Sequence, residues 1–147
     1  MSTFEEILKK DGILVYKTKG VSMKPMLHQN RDLVIIRVPE GRLSRFDVAL
    51  YRRGKQYVLH RVLQVRERDY LIRGDNTFVM ETVPEENVIG VLTEFVRKGR
   101  HFSVTDRNYL RYVSFWNAIY PVRAVYSRGR RFAARIAHKL GYHRKKR

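Results

Sequence analysis

A chain of 147 residues, 44% of them hydrophobic, has room for one compact domain and an appendage, with enough apolar side chain to build a core. The lack of cysteine excludes a disulfide framework and a thiolate metal site, and fits a reducing compartment. The formal charge of +17 is uneven: residues 107–147 hold 12 Lys and Arg and no acid, leaving 19 cations against all 14 acids in residues 1–106.

The opening MSTFEEILKKDG is acidic then basic and has no apolar core of signal-peptide length. It predicts a short N-terminal helix and no export signal. From residue 12 to 97 the pattern is that of strands. GILVYKT, DLVIIRV, DVALYR, QYVLHRVLQV, DYLIRG and NVIGVLTEFV are short β-branched and aromatic runs, separated by the turn signals HQNRD, PEGRLSRFD, RRGK, RERD and GDN. RRGK predicts a hairpin loop. Strands so closely spaced, with no helix between them, predict a mainly β domain over residues 1–106, built as a curled antiparallel sheet or small barrel.

After residue 106 the period changes. Leu110, Val113, Trp116, Ile119 and Tyr120 recur at helical spacing, Pro121 interrupts, and Val122, Val125, Tyr126, Phe132, Ala133, Ile136 and Leu140 continue a stripe opposite many arginines. Residues 107–147 therefore read as a tail of basic amphipathic helices suited to the phosphates of lipid or nucleic acid. The longest uncharged stretch there, YVSFWNAIYPV, has 11 residues, short of the roughly 20 that a spanning helix needs. The closing GYHRKKR reads as disordered.

Three stretches carry candidate chemistry: GVSMKPML (20–27), YVLHRV (57–62) and LIRGDNTFVMETV (71–83). Taken singly, Ser22 is a turn residue, His60 a packed strand side chain, Asp75 an Asx-turn former and Glu81 a solvated charge. Taken together they allow more. A serine attacks only when a positioned base takes its proton. Ser22 sits on a short turn beside Gly20, whose missing side chain lets a substrate backbone approach. Backbone N–H groups of that turn could face an oxyanion, and Met23 packs beneath the turn or against substrate. His60 alternates with Val58 and Val62, so desolvation favours the neutral imidazole that a general base requires. Asp75 or Glu81 could hold one ring nitrogen so that the other faces Ser22. No metal site and no cofactor are expected, since His28, His101, His138 and His143 have no partner at ligand spacing.

The ordered boxes S-M-x-P-x-L, a strand with the base followed by Arg-Val, R-G-D-N and a later V-I-G-V resemble the signal peptidase I and self-cleaving-repressor group of serine proteases. The resemblance runs from about Val15 to Val96. It implies the fold of that group, Ser22 as nucleophile, and His60 in the place of the lysine base of bacterial export enzymes. Histidine there is similar to the endoplasmic-reticulum and archaeal type. The resemblance also puts Asp75 and Asn76 on the G-D-N box, and Glu81 where that branch has a second acid, an aspartate. Asn30-Arg31-Asp32 and Arg45-Phe46-Asp47 depart from the group's Gly-Asp turns, with Asp32 and Asp47 kept as turn formers. Members of the group carry a membrane helix ahead of the serine box. Here about twenty residues precede Ser22.

The expected function is thus a serine endopeptidase that cleaves a leader- or signal-bearing peptide, held peripherally on an anionic membrane surface by residues 107–147 and otherwise cytoplasmic. The alternative is a non-enzymatic basic β module that binds nucleic acid or another polyanion through its tail. The β domain carries no helix-turn-helix or RNA-binding signature, which disfavours nucleic acid.

Overall fold

The computed structural model describes residues 3–144, with side chains through Gly141. Its contacts divide the chain into two units, with the division between Leu110 and Arg111.

The first unit opens on helix α1 (Phe4–Asp11). The Thr3 hydroxyl accepts from the Glu6 N–H, the Glu6 carboxylate accepts from the Thr3 N–H, and Gly12 closes the helix at φ 72°. Eight strands follow: β1 (Ile13–Lys17), β2 (Leu33–Arg37), β3 (Val48–Arg53), β4 (Gln56–Val65), β5 (Asp69–Arg73), β6 (Glu81–Pro84), β7 (Val88–Arg97) and β8 (Arg100–Ser103). They form one antiparallel sheet in the order β1-β2-β7-β3-β4-β5-β6, with β8 paired to β7. The antiparallel, mainly β architecture is as the sequence predicts. The barrel is not: among the described residues no pairing joins β1 to β6, and the sheet is open. Strand β6 is four residues long and ends in Pro84, which has no N–H to offer a closing neighbour.

The sheet's core face gathers Ala49, Tyr51, Val62, Tyr70, Ile72 and Val83. Alternation of side chains across each strand sets this face, since partners in the antiparallel register share a side. The RRGK hairpin forms as predicted, with Arg53 opposite Gln56 and Gly54 at φ 61°. The unit extends a few residues past the expected boundary at 106. Tyr109 is buried in it, its ring 5.6 Å from that of Phe95 and its hydroxyl accepting from Arg61 at 3.0 Å.

The second unit consists of α2 (Arg107–Ala118), from Arg111 onward, and α3 (Tyr120–Arg144). Pro121 stands in the first turn of α3, where an absent N–H is tolerated. The helix continues through Arg144, which corrects the expectation of disorder from residue 141: a Leu-Gly-Tyr sequence does not stop a helix by itself. Residues 145–147 of that expectation lie outside the described residues. The residues of the apolar stripe differ in exposure. Val113 is buried, and Trp116 lies under the Arg123 guanidinium at 3.9 Å, whereas Val122, Val125, Tyr126, Phe132, Ile136 and Leu140 are exposed. Among the described residues no helix is long and apolar enough to cross a membrane.

Candidate active site

Ser22 rides on a loop tied at its base. Thr18 N–H donates to the Asp32 carbonyl and Asn30 N–H to the Thr18 carbonyl, while the Asp32 carboxylate, fully buried, accepts from the His28 N–H and from Arg31. Gly20, at φ 80°, gives its N–H to Gln29 Oε1 at 3.0 Å. The turn itself is held by Leu27 N–H on the Met23 carbonyl at 2.9 Å. Among the described residues no hydrogen bond takes the N–H of Ser22 or Met23.

The Gly74-Asp75-Asn76 turn after β5 grips this loop. The Asn76 backbone N–H donates to the Ser22 carbonyl at 2.8 Å, its side-chain amide donates to the Val21 carbonyl at 3.1 Å, and Asp75 N–H reaches Met23 Sδ at 3.4 Å. Met23 therefore packs beneath the turn. Gly74 is required by space. A Cβ there would stand 2.7 Å from the Ser22 carbonyl oxygen and 3.1 Å from His60 Nε2. The two distances place that oxygen and Nε2 within about 6 Å of each other. Any side chain at residue 74 would wedge the serine loop away from the histidine.

His60 lies on β4, 8% exposed, opposite Ala49 of β3. The small partner leaves room for Tyr51, two residues along β3 and diagonal to His60, to bring its hydroxyl to Nδ1 at 3.2 Å. The same hydroxyl donates to Glu81 Oε2 at 2.6 Å, and Arg53 donates to both Glu81 oxygens at 3.0 and 3.1 Å. Glu81 Oε2 itself stands 3.6 Å from Nδ1. The hydrogen-bond network assigns the tautomer. Tyr51 has one proton and gives it to Glu81, so across the 3.2 Å contact the ring must donate. Nδ1 carries the hydrogen, and Nε2, on the side of Gly74 and Ser22, keeps its lone pair.

Electrostatics agree with that assignment. Burial pushes the His60 pKa below its ordinary value, against an upward pull from Glu81, so the ring is neutral at pH 7. Burial works to raise the Glu81 pKa, but hydrogen bonds from Tyr51 and Arg53 outweigh it and hold the carboxyl ionised. Burial and Glu81 both raise the Tyr51 pKa, which keeps its proton in place.

Of the two carboxylates, Glu81 is the one joined to the His60 ring through Tyr51. Asp75 is buried and meets Arg61 at two points, 2.7 and 2.9 Å. Arg61 also donates to the Phe46 carbonyl and the Tyr109 hydroxyl and reaches Met26 Sδ. Asp75 thus anchors the floor of the serine loop. Asp47, expected as a turn former, accepts from Ser44 N–H at 2.8 Å.

Gly20, Ser22, Met23, His60 and Glu81 line one groove of about 970 Å³. It runs between residues 16–20, at the end of β1, and residues 56–60 of β4. Strand β4 pairs β5 only from Arg61 onward, so on that side the backbone edge from Gln56 to His60 has no strand neighbour among the described residues. No hydrogen bond joins the Ser22 hydroxyl to His60 among the described residues. Tyr51 and Arg53 are not among the candidates that the sequence boxes single out, and the spatial need for Gly74 is visible only in the fold. The hairpin register already contained the signal for Tyr51: RRGK fixes Tyr51 opposite Val58, one diagonal step from His60.

The fold and cluster define a class in structural terms: an open antiparallel β unit with serine, histidine and carboxylate converging on one groove. Comparison with models of known protein families yields no match, and no curated protein matches the chain.

Proposed function

We propose that this chain is a serine endopeptidase of signal peptidase-like type, with Ser22 as nucleophile and Nε2 of His60 as general base. The observation that carries the reading is the proton arrangement around His60. The Glu81–Tyr51 pair leaves Nε2 as the free acceptor, and Gly74 lets it approach the serine loop. The ordered sequence boxes from Val15 to Val96 support the same reading, as does the unpaired edge of β4, to which an extended peptide can hydrogen-bond.

In the reaction, Ser22 Oγ bonds to the scissile carbonyl carbon as its proton passes to Nε2. The N–H groups of Ser22 and Met23 meet the oxyanion. The C–N bond then breaks as Nε2–H gives its proton to the leaving amine, and water, deprotonated by the same nitrogen, releases the acyl group. Glu81 acts through Tyr51 by holding the ring and favouring its charged form in transit. Gly20 leaves space for the substrate backbone. Leader- or signal-bearing peptides are the substrate class that the sequence boxes imply. Residues 107–147 serve as the peripheral attachment, with the exposed apolar side chains of α3 in the lipid interface and its arginines on anionic headgroups.

A fluorophosphonate reporter tests the chemistry. Wild type takes up the label on Ser22, located by peptide mass spectrometry. Ser22→Ala takes up none, and His60→Ala is slower by about 10²-fold or more. Full-rate labelling of His60→Ala with unchanged melting would remove His60 from the mechanism, and no labelling of wild type would remove the peptidase reading.

A further inference from the structure

We propose that the groove selects an extended peptide carrying a bulky apolar side chain, aromatic above all, flanked by acidic residues, and that Phe4, Tyr16 and Tyr57 form the wall that reads it. As a substrate preference this rests on the peptidase reading of Ser22. The three rings come from three elements. Phe4 of α1 lies 4.7 Å from the Tyr16 ring of β1 and is stacked 4.9 Å from the Tyr57 ring of β4. All three line the groove and remain half-buried. Phe4 packs on both tyrosine rings, and the part of the three rings that still lines the cleft offers dispersion contact to a ligand. Phe4 is held for this: the Thr3 capping box fixes the start of α1, and Glu5 pairs with Arg52 of β3 at 3.0 Å.

Position and charge complete the argument. Tyr57 precedes His60 by three residues on β4, about 10 Å along an extended chain. The odd spacing puts Tyr57 on the opposite face of β4 from His60, so along the unpaired edge the wall meets a side chain some three residues from the scissile bond that points to that other face. Lys17, Lys19 and Arg53 line the groove, and Glu81, already engaged by Arg53 and Tyr51, is its only acid among the described residues. Such a lining attracts acidic peptides and repels basic ones.

The test separates binding from turnover by using Ser22→Ala protein. Three fluorescein-labelled decapeptides are titrated by anisotropy at pH 7: a single Phe between Asp pairs, Ala in place of that Phe, and Lys in place of the Asp residues. The Phe/Asp peptide should bind about tenfold or more tightly than the Ala peptide. The Lys-flanked peptide should bind several-fold more weakly than the Phe/Asp one. Adding Phe4→Ala or Tyr57→Ala should bring the Phe-to-Ala ratio close to one. Phe4→Leu, which keeps apolar packing of α1, should lower that ratio without lowering the melting temperature. Equal binding of Phe and Ala peptides, or a ratio that survives both Phe4→Leu and Tyr57→Ala, overturns the wall. Tighter binding of the Lys-flanked peptide overturns the charge assignment. Fluorophosphonate labelling reports separately: a labelled Ser22 with flat peptide preference sinks the wall alone, and an unlabelled Ser22 sinks the peptidase alone.

Discussion

The serine-bearing unit and the C-terminal helical unit handle charge in opposite ways. In the first, charged groups drawn inward meet opposite partners: Arg61 with Asp75, Asp32 with Arg31, and Glu81 with Arg53. In the second, cations of residues 111–147 have no acid in their own unit to meet. A buried charge without a partner is too costly to keep, so pairing in the first unit fixes geometry. An exposed cation carries no such requirement, and Arg128, Arg130, Arg131 and Arg135 of α3 are exposed beside exposed apolar side chains, in a stretch of sequence that has no acid.

The largest expected effect comes from breaking a buried pair. Arg61→Leu removes the two-point partner of the buried Asp75 carboxylate and should cost about 3–5 kcal/mol. The melting temperature should fall by more than about 10 °C, read by circular dichroism. Arg61→Leu with Asp75→Leu should recover much of that loss. A fall of only a degree or two in the single variant would mean that the pair does not fix the floor of the serine loop.

Next comes Glu81. Because burial holds His60 below its usual value of about 6.5, labelling of Ser22 should stay high at pH 7 and fall as pH drops through a value under 6.5. The sign for stability is the same: the unfolded chain takes the proton first as pH falls, so the native state gains from His60 above that range and loses within it. Glu81→Gln removes an upward pull on His60 and frees Arg53, which pulls downward. The limb should therefore move to still lower pH, and the plateau rate should drop by on the order of 10²-fold, since the ring loses its fixed tautomer. An unchanged limb and plateau would return Glu81 to a surface charge.

The weight placed on Glu81 shows where the sequence was readable. Six strands, the hairpin, α1 and the serine loop follow from alternation and turn chemistry, which are local. Strand β6, Glu-Thr-Val-Pro, is too short and too polar to announce itself, yet its pairing of Glu81 with Ile72 brings the acid to Tyr51. Strand β8 was hidden similarly, a polar Arg-His-Phe-Ser run after a turn in which Lys98 and Gly99 both take positive φ. Ser22, His60 and the Gly74-Asp75-Asn76 turn enter as candidates through the resemblance of the ordered boxes. Which acid faces the base could not be named that way, because Asp75 is claimed by an arginine adjacent to His60 in sequence whose side chain falls on the opposite face of β4.

The two smallest effects concern the tail. Phe132→Ser with Ile136→Ser removes two exposed apolar side chains from one face of α3, and should weaken sedimentation with anionic vesicles by on the order of tenfold. Arg131→Gln removes a single cation and should weaken it by about fivefold, an effect that shrinks as salt rises. Neither change should alter the melting temperature of the serine-bearing unit or Ser22 labelling in detergent-free buffer, since neither residue belongs to that unit. Binding must also be stronger to anionic than to neutral vesicles, because the apolar face alone does not distinguish them. Equal binding to both, or none, together with tight DNA binding at 0.15 M salt, would replace the lipid surface by nucleic acid as the anion that the tail requires.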